Sequence, residues 1–495
     1  MPLVLAFVVV YPYVFDKKLD VNGDNFNYYL LGQALASGKG YVKINLPDEP
    51  AYNIFPPGYP AIIAAAMKVV SRDINAIKTV NGVFFLISVV LLFLLLDHMT
   101  QNRPLAFTTA AFILFNSHYL RYATIIMSEV PFFLISILAL YVFTRLDLSK
   151  PPWKSPLLAA LVLVLISSTY YIRTAGIALF GGILLYLLIS KRWTHATSVF
   201  SGFVLLALPW YLRGQTLGGN RYISQLLEVN PYRPELGMAS LGDLAGRVGQ
   251  NLVRYVTQEI PSGVLPFISA DYQSTTAGNW IIGLMLLALM AYGLYFLNAR
   301  FRLLIGGYLL GIFGILLLWP DVWFGVRFVL PVLPFLVLCL LNGAYHLLTM
   351  VISRTNRSWQ VSPLVFLVIL LGFYPGIQQL HKNARANYPP NFVNYFSTAA
   401  WARENTPPEA VISCRKPGMF YLFAGRHTTY YRNTLDDREL LDDLRRKQVN
   451  YVVLDQLGYS STYRYLLPAI QKNAGQFQVV HQTPSPETFL LAFQP

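Results

Sequence analysis

The chain has 495 residues, of which 55% are hydrophobic and 13% charged, with Lys+Arg 38 against Asp+Glu 24 and a net charge of +14. A soluble domain carries about 25% charged residues, and one core could not hide this much apolar surface. An ordinary soluble enzyme, a disordered chain and a nucleic-acid-binding domain are therefore excluded, and the positive balance is that of Lys and Arg kept in the cytoplasmic loops of a membrane protein.

Residues 1–15 are apolar but lack the basic start and small-residue cleavage site of a signal peptide, so they predict a first membrane helix. A polar loop follows at 16–57. The segment Gly58–Val70 is too short to span and predicts an interfacial or re-entrant helix. Apolar segments then recur at 78–97, 104–119, 130–145, 156–172, 174–190, 196–212, 279–297, 303–319, 328–349 and 361–379. With the first helix they predict about eleven spans, some shorter than the ~20 residues that cross comfortably, which a packed bundle tolerates. If the N-terminus is cytoplasmic, the inner turns hold Arg103; Arg145, Lys150 and Lys154; Lys191 and Arg192; Arg300 and Arg302; and Arg354 and Arg357. That is the positive-inside pattern. The outer side then receives the 16–57 loop, the turns Tyr119–Ser128 and Trp319–Arg327, a long loop at 213–278, and the tail. Residues 381–495 alternate helical and strand patterns and predict a small α/β domain, with Tyr451 and Asp455 as core and strand-end residues. Cys339 lies in an apolar run and Cys414 in a polar one, which predicts neither a disulfide nor a zinc cluster.

Five ionisable residues from distant parts of the chain fall at the outer membrane surface under this topology. Asp24 follows the first helix, in Asn22-Gly23-Asp24-Asn25, and precedes a stretch with Tyr28, Leu31 and Leu35 at the spacing of an amphipathic helix on the membrane. Gly38-Lys39-Gly40 ends that stretch, and Phe55-Pro56-Pro57-Gly58-Tyr59-Pro60 starts the next helix. Glu129 opens a membrane helix, where an ionisable group is costly and points to function. Arg121, Arg173 and Arg327 lie at turns on the same side. The competing reading of each acid is a helix cap, and of each arginine a headgroup contact. Together they suit a substrate with an anionic head and an oily tail. The acids could activate a nucleophile or hold a divalent metal ion, and arginine could stabilise a leaving phosphate.

At these residues the chain resembles the GT-C superfamily of membrane glycosyltransferases, in the branch of the protein O-mannosyltransferases and the lipid A aminoarabinose transferase. The motifs are Gly23-Asp24, Gly38-Lys39-Gly40-Tyr41, Phe55 to Pro60, Ser128-Glu129-Val130-Pro131-Phe132 and Arg327 with Pro331 and Pro334. The chain departs from aminoarabinose transferases at Asn53-Ile54-Phe55, where they carry an acid before the Pro-Pro, and at Asn27, where they carry a cation. The resemblance covers roughly 1–380. It implies a GT-C-like α-helical polytopic catalytic domain there, with an extracytoplasmic domain at 381–495. It also implies a polyprenyl-phosphate sugar donor, undecaprenyl phosphate in a bacterium, and transfer with inversion to a glycolipid, polysaccharide or protein on the periplasmic face of the inner membrane. Asp24 would be the general base or a metal ligand, and Glu129 would assist in either duty. Arg327 would pair with the donor phosphate, with Arg121, Arg173, Lys39, Tyr28 and Tyr59 as further donor-binding residues. The alternatives are a transporter or flippase of lipid-linked sugar, and a non-catalytic assembly protein acting through its tail.

Overall fold

The computed structural model describes residues 1–219, 221–354 and 361–494; Arg357 of the last inner turn lies outside them. Every one of the eleven apolar segments is helical. The helices are α1 (Pro2–Val14), α2 (Asn25–Ala36), α3 (Gly58–Val69), α4 (Ile74–Thr100), α5 (Arg103–Phe115), α6 (Ser117–Ala123), α7 (Glu129–Thr144), α8 (Pro156–Ile172), α9 (Ile177–Ile189) and α10 (Trp193–Thr216). Then come α11 (Arg221–Leu227), α12 (Leu241–Arg254), α13 (Ile260–Val264), α14 (Ala277–Tyr295), α15 (Ala299–Leu318), α16 (Leu333–Ser353) and α17 (Tyr374–Arg385), the last preceded by a 3-10 segment at Pro363–Phe373. Six of the described helical segments are long and apolar enough to cross a membrane, and α1, α5, α7, α8 and α9 are shorter apolar helices beside them. Their outward faces stay apolar, as on α10 and α14, where Leu205, Ile281 and Met285 are exposed. That is the surface expected against lipid rather than water. The α3 helix, at 12 residues, is about 18 Å long, well short of a hydrocarbon core of about 30 Å.

Two segments differ from expectation. The stretch after Asp24 does not lie as a free amphipathic helix. Phe26 of α2 enters a core shared with Phe420 and Val453 of the tail, while Tyr28 enters another with Tyr59 and Ile63. The 213–278 stretch is largely helical: α12 continues into α13 through a π-turn at Tyr255–Glu259 and packs along α14 and α15. Its sequence looks like a loop because polar residues are buried among the apolar ones: Thr257, Gln258, Glu259 and Ser262 are buried together with Tyr255, Ile260 and Val264.

The tail carries α18 (Pro390–Asn405), α19 (Pro417–Ala424), α20 (Asp437–Arg446), α21 (Leu467–Lys472) and five strands: β1 (Val411–Ser413), β2 (His427–Thr429), β3 (Tyr451–Leu454), β4 (Phe477–Gln482) and β5 (Phe489–Phe493). They form one sheet in the order β2-β1-β3-β5-β4. β1 is parallel to β2, with Val411 opposite His427, and parallel to β3. β5 is antiparallel to β3 and β4. The sheet is fastened to the 16–57 segment and the 230s. Thr428 N–H donates to Asn45 O at 2.7 Å, Tyr388 OH donates to Leu19 O at 3.0 Å, and Arg464 pairs with Glu235 at 2.9 Å. The polytopic helical fold with a small α/β tail is the one expected. Both cysteines are buried and free.

Candidate active site

Gly23 has φ +66°, a conformation that costs glycine little and other residues more, and the turn it makes delivers Asp24 to the N-cap position of α2. Capping is not what Asp24 does there: its side chain accepts no hydrogen bond from the helix. It is half-buried and lines a cavity of about 1090 Å³. Its neighbour Asn25 fixes the turn. Asn25 Oδ1 accepts from Ile126 N–H at 2.8 Å, and its amide donates to Asn22 O at 2.6 Å. Ile126 lies just before Glu129, so this one side chain draws two acids remote in sequence to the same cavity.

Glu129 is the first residue of α7, and its carboxylate is committed to an ion pair. Its side chain is 1% exposed and meets Arg173 Nη1 at 2.7 Å. Arg173 also donates to Ser128 Oγ at 3.2 Å, and that hydroxyl shares a hydrogen bond of 3.1 Å with Tyr28 OH. The Tyr28 ring packs against Phe55 and Tyr59 with centroids 5.0 Å from each. Behind them the buried Asn81 amide donates to Tyr59 OH at 2.8 Å and to Ile125 O at 2.7 Å. The Pro-Pro-Gly start of α3 is explained at the same place. A Cβ on Gly58 would sit 2.6 Å from Tyr171 O, so only glycine lets α3 begin against the backbone that leads into Arg173.

Arg327 lies on the 3-10 turn Val326–Phe328 between α15 and α16. Its guanidinium is over the Phe328 ring at 4.6 Å, and its Nε is buried without a hydrogen bond among the described residues. From behind, α12 holds the approach to this turn. The Asn251 amide donates to Leu317 O at 3.0 Å and Trp319 O at 2.8 Å, and Arg254 Nη1 donates to Asp321 O at 2.7 Å. Arg254 is itself paired at 2.9 Å with Glu259, whose side chain is fully buried.

Asp24, Tyr28, Glu129, Arg173 and Arg327 all line the cavity. Burial pushes the Asp24 carboxyl above the usual carboxylate range; Arg327 and Lys416 pull it back, Glu129 pushes it further, and Arg173 opposes. Burial works to lower the Arg327 guanidinium, but Glu129, Tyr122 and Asp24 outweigh it and keep it firmly charged. The site therefore pairs a proton-accepting carboxylate with a guanidinium that an anion can engage. Three expected residues stand outside it. Arg121 is half-exposed and 3.8 Å from Asp20, Lys39 pairs with Glu49 at the surface, and Tyr59 supports Tyr28 from behind. The same cavity is also lined by residues the sequence did not single out, among them Lys43, Arg415, Tyr430, Tyr431, Arg432 and Lys447. Asn25 and Asn81 were not singled out either. A buried asparagine within the apolar α4 is a detectable signal; Asn25 in a polar loop is not.

The donor set does not fit a divalent cation. Glu129 is already neutralised by Arg173, and among the described residues no group of three His, Cys, Asp or Glu could hold a metal ion. Hard cations of this class take six or more oxygen ligands, water included.

No family model matches the chain, and no curated protein matches it by sequence. Solved structures do. ArnT from Cupriavidus metallidurans bound to undecaprenyl phosphate superimposes with a TM-score of 0.60 at 13% identity, over 99% of this chain and 97% of that one. Archaeal oligosaccharyltransferase AglB from Archaeoglobus fulgidus, in complex with an inhibitory peptide and a dolichol-phosphate, superimposes with a TM-score of 0.59 at 14% identity, over 99% of this chain and 74% of that one. At these identities the likeness is one of fold: along almost its whole length, the chain is built as these two proteins are.

Proposed function

We propose that the protein is an integral membrane glycosyltransferase that moves a sugar from a polyprenyl-phosphate donor to an acceptor hydroxyl. The observation that carries this reading is the convergence of Asp24, Glu129, Arg173 and Arg327 on one cavity between the helices and the α/β tail. The fold shared with proteins whose structures hold undecaprenyl phosphate or dolichol-phosphate supports it.

In the proposed step the Asp24 carboxylate takes the proton of the acceptor hydroxyl. The hydroxyl oxygen attacks the anomeric carbon as the bond from that carbon to the phosphate oxygen breaks. The electron pair leaves on the polyprenyl phosphate, and the configuration inverts because attack and departure lie on opposite faces. Arg327 offers its fork to the phosphate as negative charge grows there. Glu129 acts by fixing Arg173, which with Ser128 and Tyr28 shapes the wall next to the base. No step needs a metal ion. The positive-inside count supports an outer-face site, which in this reading is the periplasmic face of a bacterial inner membrane, and the proposed acceptor is a glycolipid, polysaccharide or protein.

Asp24→Asn tests the reading. Removing a general base costs about 10²–10⁴-fold in turnover, while undecaprenyl-phosphate binding, measured by titration of the purified protein, stays within twofold. Unchanged transfer by the variant refutes the role of Asp24.

A further inference from the structure

A second cationic surface lines the same cavity as the base, and it belongs to the tail. Arg415 follows β1, and Tyr430, Tyr431 and Arg432 follow β2, so these residues sit beyond the carboxyl ends of parallel strands. That edge is where α/β sheets hold ligands. Its cations are not equivalent. Arg432 is taken by Glu439 at 2.6 Å and Lys447 by Asp443 at 2.6 Å. Among the described residues Arg415 has no ion pair. Its guanidinium lies 4.7 Å over the Tyr459 ring, and its Nε is buried without a hydrogen-bond partner. A donor with one phosphate is answered by Arg327, which comes from the helical part and sits in the field of Asp24 and Glu129. Arg415 thus offers a planar fork, the geometry that grips a carboxylate or phosphate at two points, to an anion that the donor does not supply.

Resting on the transferase reading, we propose that Arg415 is the anion-binding residue of the acceptor subsite, and that the acceptor is an acidic carbohydrate, carrying phosphate or carboxylate near the hydroxyl that receives the sugar. The tail then selects the acceptor while the helices hold the donor.

The test is calorimetric titration of the full-length purified protein with glucose 1-phosphate and with glucuronate, using glucose as the neutral control, first without lipid and then with undecaprenyl phosphate bound. At least one acidic sugar binds and glucose does not; which one binds distinguishes phosphate from carboxylate. Arg415→Gln weakens that binding roughly ten- to hundredfold, the range for a lost charged hydrogen bond, and leaves undecaprenyl-phosphate affinity within twofold. Arg415→Lys, which keeps the charge and the stem over Tyr459, loses severalfold and provides the readout if the glutamine variant does not fold. The inference is overturned if neither acidic sugar binds, if glucose binds equally, or if the variants change nothing. It is also overturned if Arg415→Gln weakens undecaprenyl phosphate, or undecaprenyl diphosphate selectively, because the anion is then the donor's. Failure of the wild type to bind undecaprenyl phosphate, with acidic sugar still bound through Arg415, instead sinks the transferase reading and the acceptor role with it.

Discussion

Breaking the ion pair between Glu129 and Arg173 offers the sharpest test of how the site is built. The two groups are 2.7 Å apart, with side chains 1% and 17% exposed. Opposite unit charges at that distance attract by about 6 kcal/mol at an effective dielectric of about 20, before the cost of dehydrating both. Arg173→Ala leaves the carboxylate buried without its contact partner, opposed by the field of Arg327, and breaking a buried pair in this way costs about 3–5 kcal/mol. Glu129→Gln removes the charge instead, so the double variant Glu129→Gln, Arg173→Ala carries no buried unpaired charge and recovers most of the loss. The assay is equilibrium unfolding of the four proteins of the cycle in mixed micelles, read as a coupling energy of about 2–3 kcal/mol for groups in contact. A coupling near zero, with the double variant as unstable as the sum of the singles, refutes the claim that Arg173 exists to neutralise Glu129. Transfer activity stays low in all three variants, because none retains the wall beside Asp24.

Burial holds the Asp24 carboxyl above the ordinary range, so the acid limb of the rate–pH profile should fall at a higher pH than an exposed aspartate gives. Activity is present while the carboxylate is ionised and lost as pH drops through the raised value; a limb at the usual carboxylate pH contradicts the burial described. Gly58→Ala places a methyl 2.6 Å from Tyr171 O and should lower both stability and donor binding by displacing the segment before Arg173, whereas wild-type titration curves would show that the contact is tolerated. In the tail, burial pushes the Asp455 carboxyl up to about 6, against the Leu457 N–H bond and Arg415. The folded state therefore binds this proton more tightly than the unfolded chain. The stability it contributes is present below about pH 4 and lost as pH rises to about 6, by roughly 3 kcal/mol. Asp455→Asn should remove that pH dependence, measured as hydrogen exchange of β3 and β5 across the same range, and an unchanged dependence places the effect elsewhere.

The helices were legible because lipid-facing segments must be apolar throughout, so length and composition alone mark α4, α15 and α16. The helix through Tyr255 was hidden because Thr257, Gln258, Glu259 and Ser262 are buried within it, and that polar run imitates a loop. Asp24 and Glu129 stood out as isolated acids at helix starts, but from sequence capping explained Asp24 better than function did and Glu129 as well. The structure separates the readings: one makes no cap bond and the other is held by Arg173. Their meeting could not be read beforehand, since it depends on contacts between distant segments, such as the bonds from Ile126 to Asn25 and between Tyr28 and Ser128. Arg121 and Lys39 shared the right neighbourhood but found local partners, Asp20 and Glu49, which spacing does not foretell. Arg415 was invisible because its relevance depends on where a sheet edge docks.

The roof of the cavity comes from a separate stretch of chain than its floor, joined through short bonds such as Thr428 to Asn45. A sugar activated as a phosphate ester is also open to attack by solvent, and shielding a reactive group from bulk water is what keeps transfer ahead of wasteful hydrolysis. Under the proposed function, loosening the tail at that seam would therefore do more than impair recognition: it would let water take the lipid-linked sugar, releasing free monosaccharide in place of product.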